Sequence, residues 1–273
     1  MTNTGMTIEE KVTAAFDKQA PEFDRLYGED RIIHYKRKRV REQVEHWLAP
    51  RSFILELNAG TGEDAVYFAR QGHHVHATDI SGGMQEELTR KVRENNLTDT
   101  VSFERCSFTE LEHLAQQGPY DLIFSNFAGL NCTSQLKKVL SSFSFLVKPG
   151  GFVTLVILPR FCLWEFLLLF RGKFKTAFRR FSGNRGTTAK IDGEHFRCWY
   201  YNPSYIRKQV KGSFDIVAQE GLCTLVPPSY MSHFAEKHPT LFSFLKKKED
   251  RWKNKWPWRS VGDYYIITLQ KKQ

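Results

Sequence analysis

The sequence predicts an α/β protein: a seven-stranded, mostly parallel sheet with helices on both faces, an N-terminal helical cap and a helical insertion after the fifth strand. Three observations carry that prediction. Apolar runs of strand length recur along the chain with helical stretches between them, as a doubly wound sheet requires. The first run, Ile54-Leu55-Glu56-Leu57, empties into the small-residue turn Asn58-Ala59-Gly60-Thr61-Gly62, and a helix opens at Glu63. The next run ends in an acid, Asp79, where a carboxylate can accept hydrogen bonds from both hydroxyls of a ribose.

The elements follow in order. Thr7-Ile8-Glu9-Glu10 reads as a capping box opening a helix. Residues 1–50 form the helical cap, with Phe16, Phe23 and Tyr27 as apolar anchors that either pack helix on helix or close over a ligand. A nucleotide-binding core spans 51–158, with strands near 53–57, 74–78, 101–105, 120–124 and 152–157. An insertion on the substrate side, or lid, occupies 159–212. Residues 213–273 supply the last two strands, Phe214–Ala218 and Tyr264–Leu269, with a basic, Trp-rich loop between them.

The turn after the first strand decides the ligand class. Gly60 and Gly62 let backbone approach a ligand as no Cβ would allow. A pyrophosphate would dock on the helix N-terminus, but Glu63 and Asp64 stand there. Two carboxylates repel an anion and tolerate a cation such as a sulfonium.

Four motifs in order resemble those of the class I S-adenosylmethionine-dependent methyltransferases. They are Glu56 to Gly62, Asp79-Ile80-Ser81-Gly82-Gly83-Met84, Tyr120 to Asn126, and Leu146-Val147-Lys148-Pro149-Gly150-Gly151. The flavour is that of the small-molecule branch typified by ubiquinone/menaquinone C-methyltransferases. The resemblance implies a Rossmann-like core and S-adenosyl-L-methionine as cofactor, with no metal. It implies that Glu56 orients the methionine amino group, that Gly60 and Gly62 line the methionine and ribose, and that Asp79 binds the ribose diol. Ile80 and Met84 would pack on the adenine, Tyr27 would close over the cofactor, and Asn58 and Ser125 would stand beside it. Ser107 and Phe108 occupy the place where the family often has an acid reading the adenine amine, which shifts that recognition to backbone groups and stacking. Asn58 replaces the family's first glycine, and asparagine tolerates left-handed backbone better than other non-glycine residues.

Composition narrows the setting. Five scattered cysteines without a Cys-x-x-Cys pair argue against a disulfide framework and a zinc site, and for a reducing, cytoplasmic compartment. Met1 to Glu10 is polar, unlike a signal peptide. The run Phe161–Phe170 is interrupted by Glu165 and is too short for a bilayer, which needs about 20 residues.

The insertion carries the substrate signal. Leu163, Phe166, Leu167, Phe170, Phe174, Ala177, Phe178 and Phe181 form one stripe at helical spacing, with Gly172 breaking or bending the helix midway. Glu165, Arg171, Lys173, Lys175, Arg179 and Arg180 fall on the other side. Such a helix packs on the core, covers an apolar acceptor, or rests on the inner face of an anionic membrane. Lys246–Arg259 adds cations around Trp252, Trp256 and Trp258, a mixture that suits a lipid interface or a nucleic acid. The formal net charge of +10 supports either. Lipid is preferred: no RNA-binding module accompanies the core, and Ser125-Asn126-Phe127-Ala128 stands where base-amine methylation would call for Asn-Pro-Pro-aromatic.

Methyl transfer is an in-line displacement that positioning and desolvation accelerate. A carbon or oxygen acceptor also gives up a proton. Asn126, at the end of strand four, can position an acceptor. The candidate bases are His195, His34 and Glu165, and Tyr200 and Tyr201 could line the pocket. The expected activity is O- or C-methylation of a small hydrophobic phenol, quinone or lipid-like acceptor. The alternatives are RNA methylation through the basic segments and a non-methylating use of the cofactor.

Overall fold

The computed structural model describes residues 7–191, 193–231 and 233–273, so the first six residues of the expected cap lie outside it. Two helices open the chain, α1 (Ile8–Tyr27) and α2 (Arg31–Glu45). The core then alternates: β1 (Phe53–Leu57), α3 (Glu63–Arg70), β2 (His74–Asp79), α4 (Gly82–Glu94), β3 (Val101–Arg105), β4 (Tyr120–Ser125), α5 (Leu136–Leu146) and β5 (Val147–Ile157). The insertion holds α6 (Leu163–Leu167), α7 (Phe174–Phe178) and the hairpin β6 (Thr187–Ile191) and β7 (Glu194–Cys198). After it come α8 (Pro203–Val210), β8 (Phe214–Leu222), α9 (Phe234–Lys237), α10 (Pro239–Trp252) and β9 (Tyr264–Lys271).

The seven strands run in the order β3-β2-β1-β4-β5-β9-β8. β1 to β5 pair in parallel, and β9 lies antiparallel between β5 and β8. Strand order reverses at β1/β4, and the crevice at the carboxyl ends of those strands is where such sheets bind ligands. β1 and β4 read as continuous apolar runs because both sheet faces are covered. Leu55, Leu57, Ile123 and Phe143 pack on one face; Ile54, Phe68, Leu88 and Phe124 pack on the other.

Thr7 and Glu10 form the expected capping box. Two expectations change. The Trp-rich "loop" is half helix: Lys246 to Trp252 belong to α10, pinned by buried Glu249, which accepts from the backbone amides of Cys223, Thr224, Leu225 and Val226. The 163–181 stripe is also largely uncovered. Gly172, at φ +70°, divides it into α6 and α7, and Arg171, Lys173, Lys175 and Arg179 are exposed along with most of the rings. Glu165 and Arg180 are buried, while Phe170, Phe174, Phe178 and Phe181 face solvent.

Candidate active site

The main cleft opens at the switch point, with about 870 Å³ of empty space when the open solvent at its mouth is included. It is built from the β1–α3 turn, the ends of β2 and β4, the loop after β3, and helices α1 and α2. Glu56, Asn58, Gly60, Asp79, Ile80, Met84, Phe108 and Asn126 all line it. Three of the four sequence-predicted motifs therefore converge on one space, and the fourth, Leu146 to Gly151, does not line it.

The turn is left-handed at Asn58, Gly60 and Gly62, with φ of 47°, 56° and 80°. A Cβ on Gly62 would sit 2.8 Å from Leu88 Cγ, so both conformation and packing require glycine there. Asn58 supplies the positive φ without glycine and adds a tie. Its Nδ2 donates to the Asn126 carbonyl at 2.9 Å, and its Oδ1 accepts from Ser125 Oγ at 2.6 Å. Ser125 thus braces Asn58 and does not line the cleft. The Asn58 side chain fills the room of a neighbour's Cβ, which at Gly129 would fall 2.2 Å from Asn58 Cγ.

Two carboxylates face the cleft with different burdens. Asp79 accepts from the amides of Gly60 and Ser81, both at 2.9 Å. Burial nonetheless pushes its carboxyl above the usual aspartate range. Glu56 is 2% exposed, and its Oε2 has no hydrogen-bond partner. Burial, and then the charge of Asp64, push it well above the usual glutamate range against the pull of Arg37 and Arg41. An unpaired buried carboxylate oxygen is costly to leave unmet. It fits a ligand that brings a donor, above all a cationic amine.

Asp64 is not the free anion that the sequence suggested. Arg37 Nη1 and Arg41 Nε reach its two oxygens at 2.7 Å each, and Asn126 Nδ2 adds a third bond at 2.7 Å. Burial alone would raise this carboxyl, but the two arginines and Asn126 hold it below its usual range. Glu63 likewise pairs with Lys91 at 2.7 Å. The helix start is therefore close to neutral, and Glu56, not Glu63 or Asp64, is the carboxylate left to meet a cationic ligand. Arg37 also lines the cleft and stacks 5.2 Å from the Phe127 ring. Arg37 and Arg41 were not picked out because α2 reads as a basic surface helix. Their i,i+4 spacing, which puts both on one face, was the available signal.

Helix α1 straps the cleft, presenting Val12, Phe16 and Phe23 to it. Three acids on its adjoining side hold it down. Glu9 Oε1 accepts from Ser107 Oγ at 3.0 Å and Thr109 Oγ1 at 2.7 Å. Asp17 Oδ1 accepts from Ser81 Oγ at 2.6 Å and the Gly83 amide at 2.9 Å, and Asp24 Oδ1 from Thr61 Oγ1 at 2.7 Å. Ser107 is thus a latch for α1 and not part of the lining. Tyr27 also stands outside the lining; its hydroxyl accepts from Gln19 Nε2, and Phe23, against which its ring packs, faces the cleft instead.

The proposed bases fall away. His195 is exposed on β7, because strand alternation turns Phe196 inward onto Phe16 and so turns His195 outward. His34 is exposed on α2. Glu165 is buried and committed: Arg179 Nε and Arg180 Nε each reach it at 2.8 Å. Burial would raise its carboxyl, but the arginine hydrogen bonds hold it below the glutamate range. Tyr200 and Tyr201 line a separate depression with Arg160 and Tyr205. No described residue of 159–212 lines the main cleft; the insertion meets α1, which covers it, through Phe196 on Phe16. Asn126 does line it, though its amide nitrogen is spent on Asp64. Among the described lining residues there is no histidine, lysine or tyrosine.

Comparison with known proteins agrees with this geometry. Residues 54–151 match the family model described as a methyltransferase domain. The chain is 30% identical over 156 residues to a demethylmenaquinone methyltransferase of Bacteroides fragilis, covering 54% of this chain and 60% of that one. It is 32% identical over 126 residues to an S-adenosyl-L-methionine-dependent Diels-Alderase of Talaromyces variabilis, covering 45% and 42%. The chain thus spans about half the length of these relatives. A solved 4+2 cyclase shares the fold at TM-score 0.62 and 15% identity, covering 97% of this chain and 96% of that one. Residues 54–151, which hold Glu56, Asp79 and Asn126, are thus similar to a methyltransferase domain, and the Talaromyces relative is S-adenosyl-L-methionine-dependent by name.

Proposed function

We propose that this protein binds S-adenosyl-L-methionine in the main cleft and methylates a small hydrophobic acceptor of the phenol or hydroquinone type. One observation carries the reading: the buried, unpartnered Oε2 of Glu56 faces the same cleft as the strand-end carboxylate of Asp79. The cofactor would supply an electrophilic methyl group on a sulfonium. Glu56 would accept from its amino group, and Asp79 would accept from the ribose hydroxyls with the lone pairs left by Gly60 and Ser81. Ile80, Met84 and Phe108 would sandwich the adenine. Arg37, already leaning on Asp64, stands ready for the methionine carboxylate as a charge-assisted donor.

The acceptor would lie among Val12, Phe16, Phe127 and Cys132 under α1, an apolar setting that would favour desolvation and in-line approach. With no histidine, lysine or tyrosine among the described lining residues, Asp64 and Glu63 held in ion pairs, and Glu56 and Asp79 given to the cofactor, proton removal is left to water. That favours an acceptor that ionises readily on its own, a phenol over an aliphatic alcohol. The test supplies methyl-labelled cofactor with a panel of phenols, hydroquinones and lipids. Label transfer to a phenol supports the reading; transfer confined to RNA would overturn it.

The missing base also favours a second reading, in which the bound cofactor shapes the cleft for a reaction without methyl transfer, as the name of the Diels-Alderase relative describes for that protein. Here acceptor turnover would proceed with the cofactor unconsumed.

A further inference from the structure

We propose that the α6–α7 segment docks the protein on an anionic lipid bilayer. The segment is held by one buried ion cluster and leaves its rings uncovered. Arg180, 2% exposed, donates to Asp263 Oδ1 at 2.7 Å and to the Asp263 carbonyl at 2.9 Å, and shares Glu165 with Arg179. Its apolar residues are presented outward, with Phe170 84% exposed, Phe174 61%, Phe178 52% and Phe181 54%, flanked by Leu167. Contiguous apolar exposure of this kind marks an interaction surface.

Charge chooses the occupant. Arg171, Lys173, Lys175 and Arg185 are exposed among these rings, and residues 166–185 contain no aspartate or glutamate. Rings that insert at the headgroup boundary, interleaved with cations, match an anionic membrane. A second copy of the chain fits poorly, because an isologous contact would set these cations against their own copies. The cleft makes no use of the segment, since no residue of it lines that space. The Gly172 break, at φ +70°, puts Phe170 and Phe174 on either side of a projecting corner. No helix among the described residues is long and apolar enough to cross a membrane, so contact is peripheral.

The experiment is vesicle sedimentation with the full chain, comparing phosphatidylcholine alone with phosphatidylcholine containing phosphatidylserine, at low and high salt. Binding to the anionic vesicles that weakens with salt is expected. The Phe170→Ser/Phe174→Ser variant should bind at least roughly tenfold more weakly, since each ring gives up its burial. Lys173→Glu/Lys175→Glu should fall by at least roughly 25-fold, each cation near the surface being worth roughly fivefold. Both changes lie on solvent, so circular dichroism should show wild-type folding. The proposal is overturned if the folded wild type ignores anionic vesicles, or if the phenylalanine variant binds as well as wild type. It is also overturned if ultracentrifugation of the lipid-free protein shows self-association that the phenylalanine variant abolishes, since a second copy would then own this face.

Discussion

Replacing Glu56 with glutamine should weaken cofactor binding and stabilise the empty protein at once. The side chain is 2% exposed, and its Oε2 has no partner. Its carboxyl is pushed well above the usual glutamate range by burial and by Asp64. A charge-assisted hydrogen bond contributes about 1.5–3 kcal/mol, so losing the one to the cofactor ammonium should raise Kd by about 10- to 150-fold. Stability moves the other way. A group whose folded pKa is raised binds its proton more tightly in the native state, so its contribution declines as pH climbs from the unfolded value toward the folded one. Glutamine carries no such dependence. The empty variant should therefore match wild type at pH about 4 and exceed it increasingly toward neutrality, by roughly 2–4 °C in Tm for each 1 kcal/mol relieved. Calorimetric titration with S-adenosylhomocysteine reads the first effect, and thermal melts across a pH series read the second. Unchanged affinity, or a variant less stable than wild type at neutral pH, would refute the role given to Glu56.

Three further outcomes follow from the same geometry. Asp79→Ala should leave the fold intact and cost at least roughly tenfold in S-adenosylhomocysteine affinity; an unchanged titration would contradict the ribose assignment. Gly129→Ala should destabilise the protein because the new Cβ meets Asn58 Cγ at 2.2 Å, whereas adding Asn58→Gly should recover most of the loss, and additive melts would deny the contact. Glu165→Gln should cost about 3–5 kcal/mol at neutral pH, as removal of one member of a buried ion cluster does. Its carboxyl is held below the ordinary range, so this stability is present above the unfolded glutamate pKa and disappears as pH falls through the folded one. Denaturant melts that show the same gap at pH 3 and pH 7 would count against it.

The sheet was legible because each strand is a short apolar run bounded by turn residues. Expected and observed strands start together at Phe53, His74, Val101, Tyr120, Phe214 and Tyr264. The cleft was legible where local chemistry sets it, at Gly60 and Asp79, whereas Gly62 shapes the turn without lining the cleft. What escaped depends on partners distant in sequence. Periodicity over 163–181 shows helical spacing but cannot say what is covered, and Ala177 is buried while Phe170, Phe174, Phe178 and Phe181 are not. Arg180 is drawn inward by Asp263, 83 residues away. Asp64 looked like a bare anion because its partners Arg37 and Arg41 precede it by 27 and 23 residues. His195 was misplaced for a local reason. The β6–β7 hairpin was not recognised, and with it the alternation that faces Phe196 inward would have sent His195 to solvent.

The central claim is that the cleft at β1 and β4 is built for S-adenosylmethionine. Isothermal titration of the purified protein with S-adenosylmethionine and S-adenosylhomocysteine, against NAD as control, tests it most directly. The account predicts micromolar binding of the first two and none of NAD. NAD binding, or no binding of any of the three by the folded protein, would contradict it.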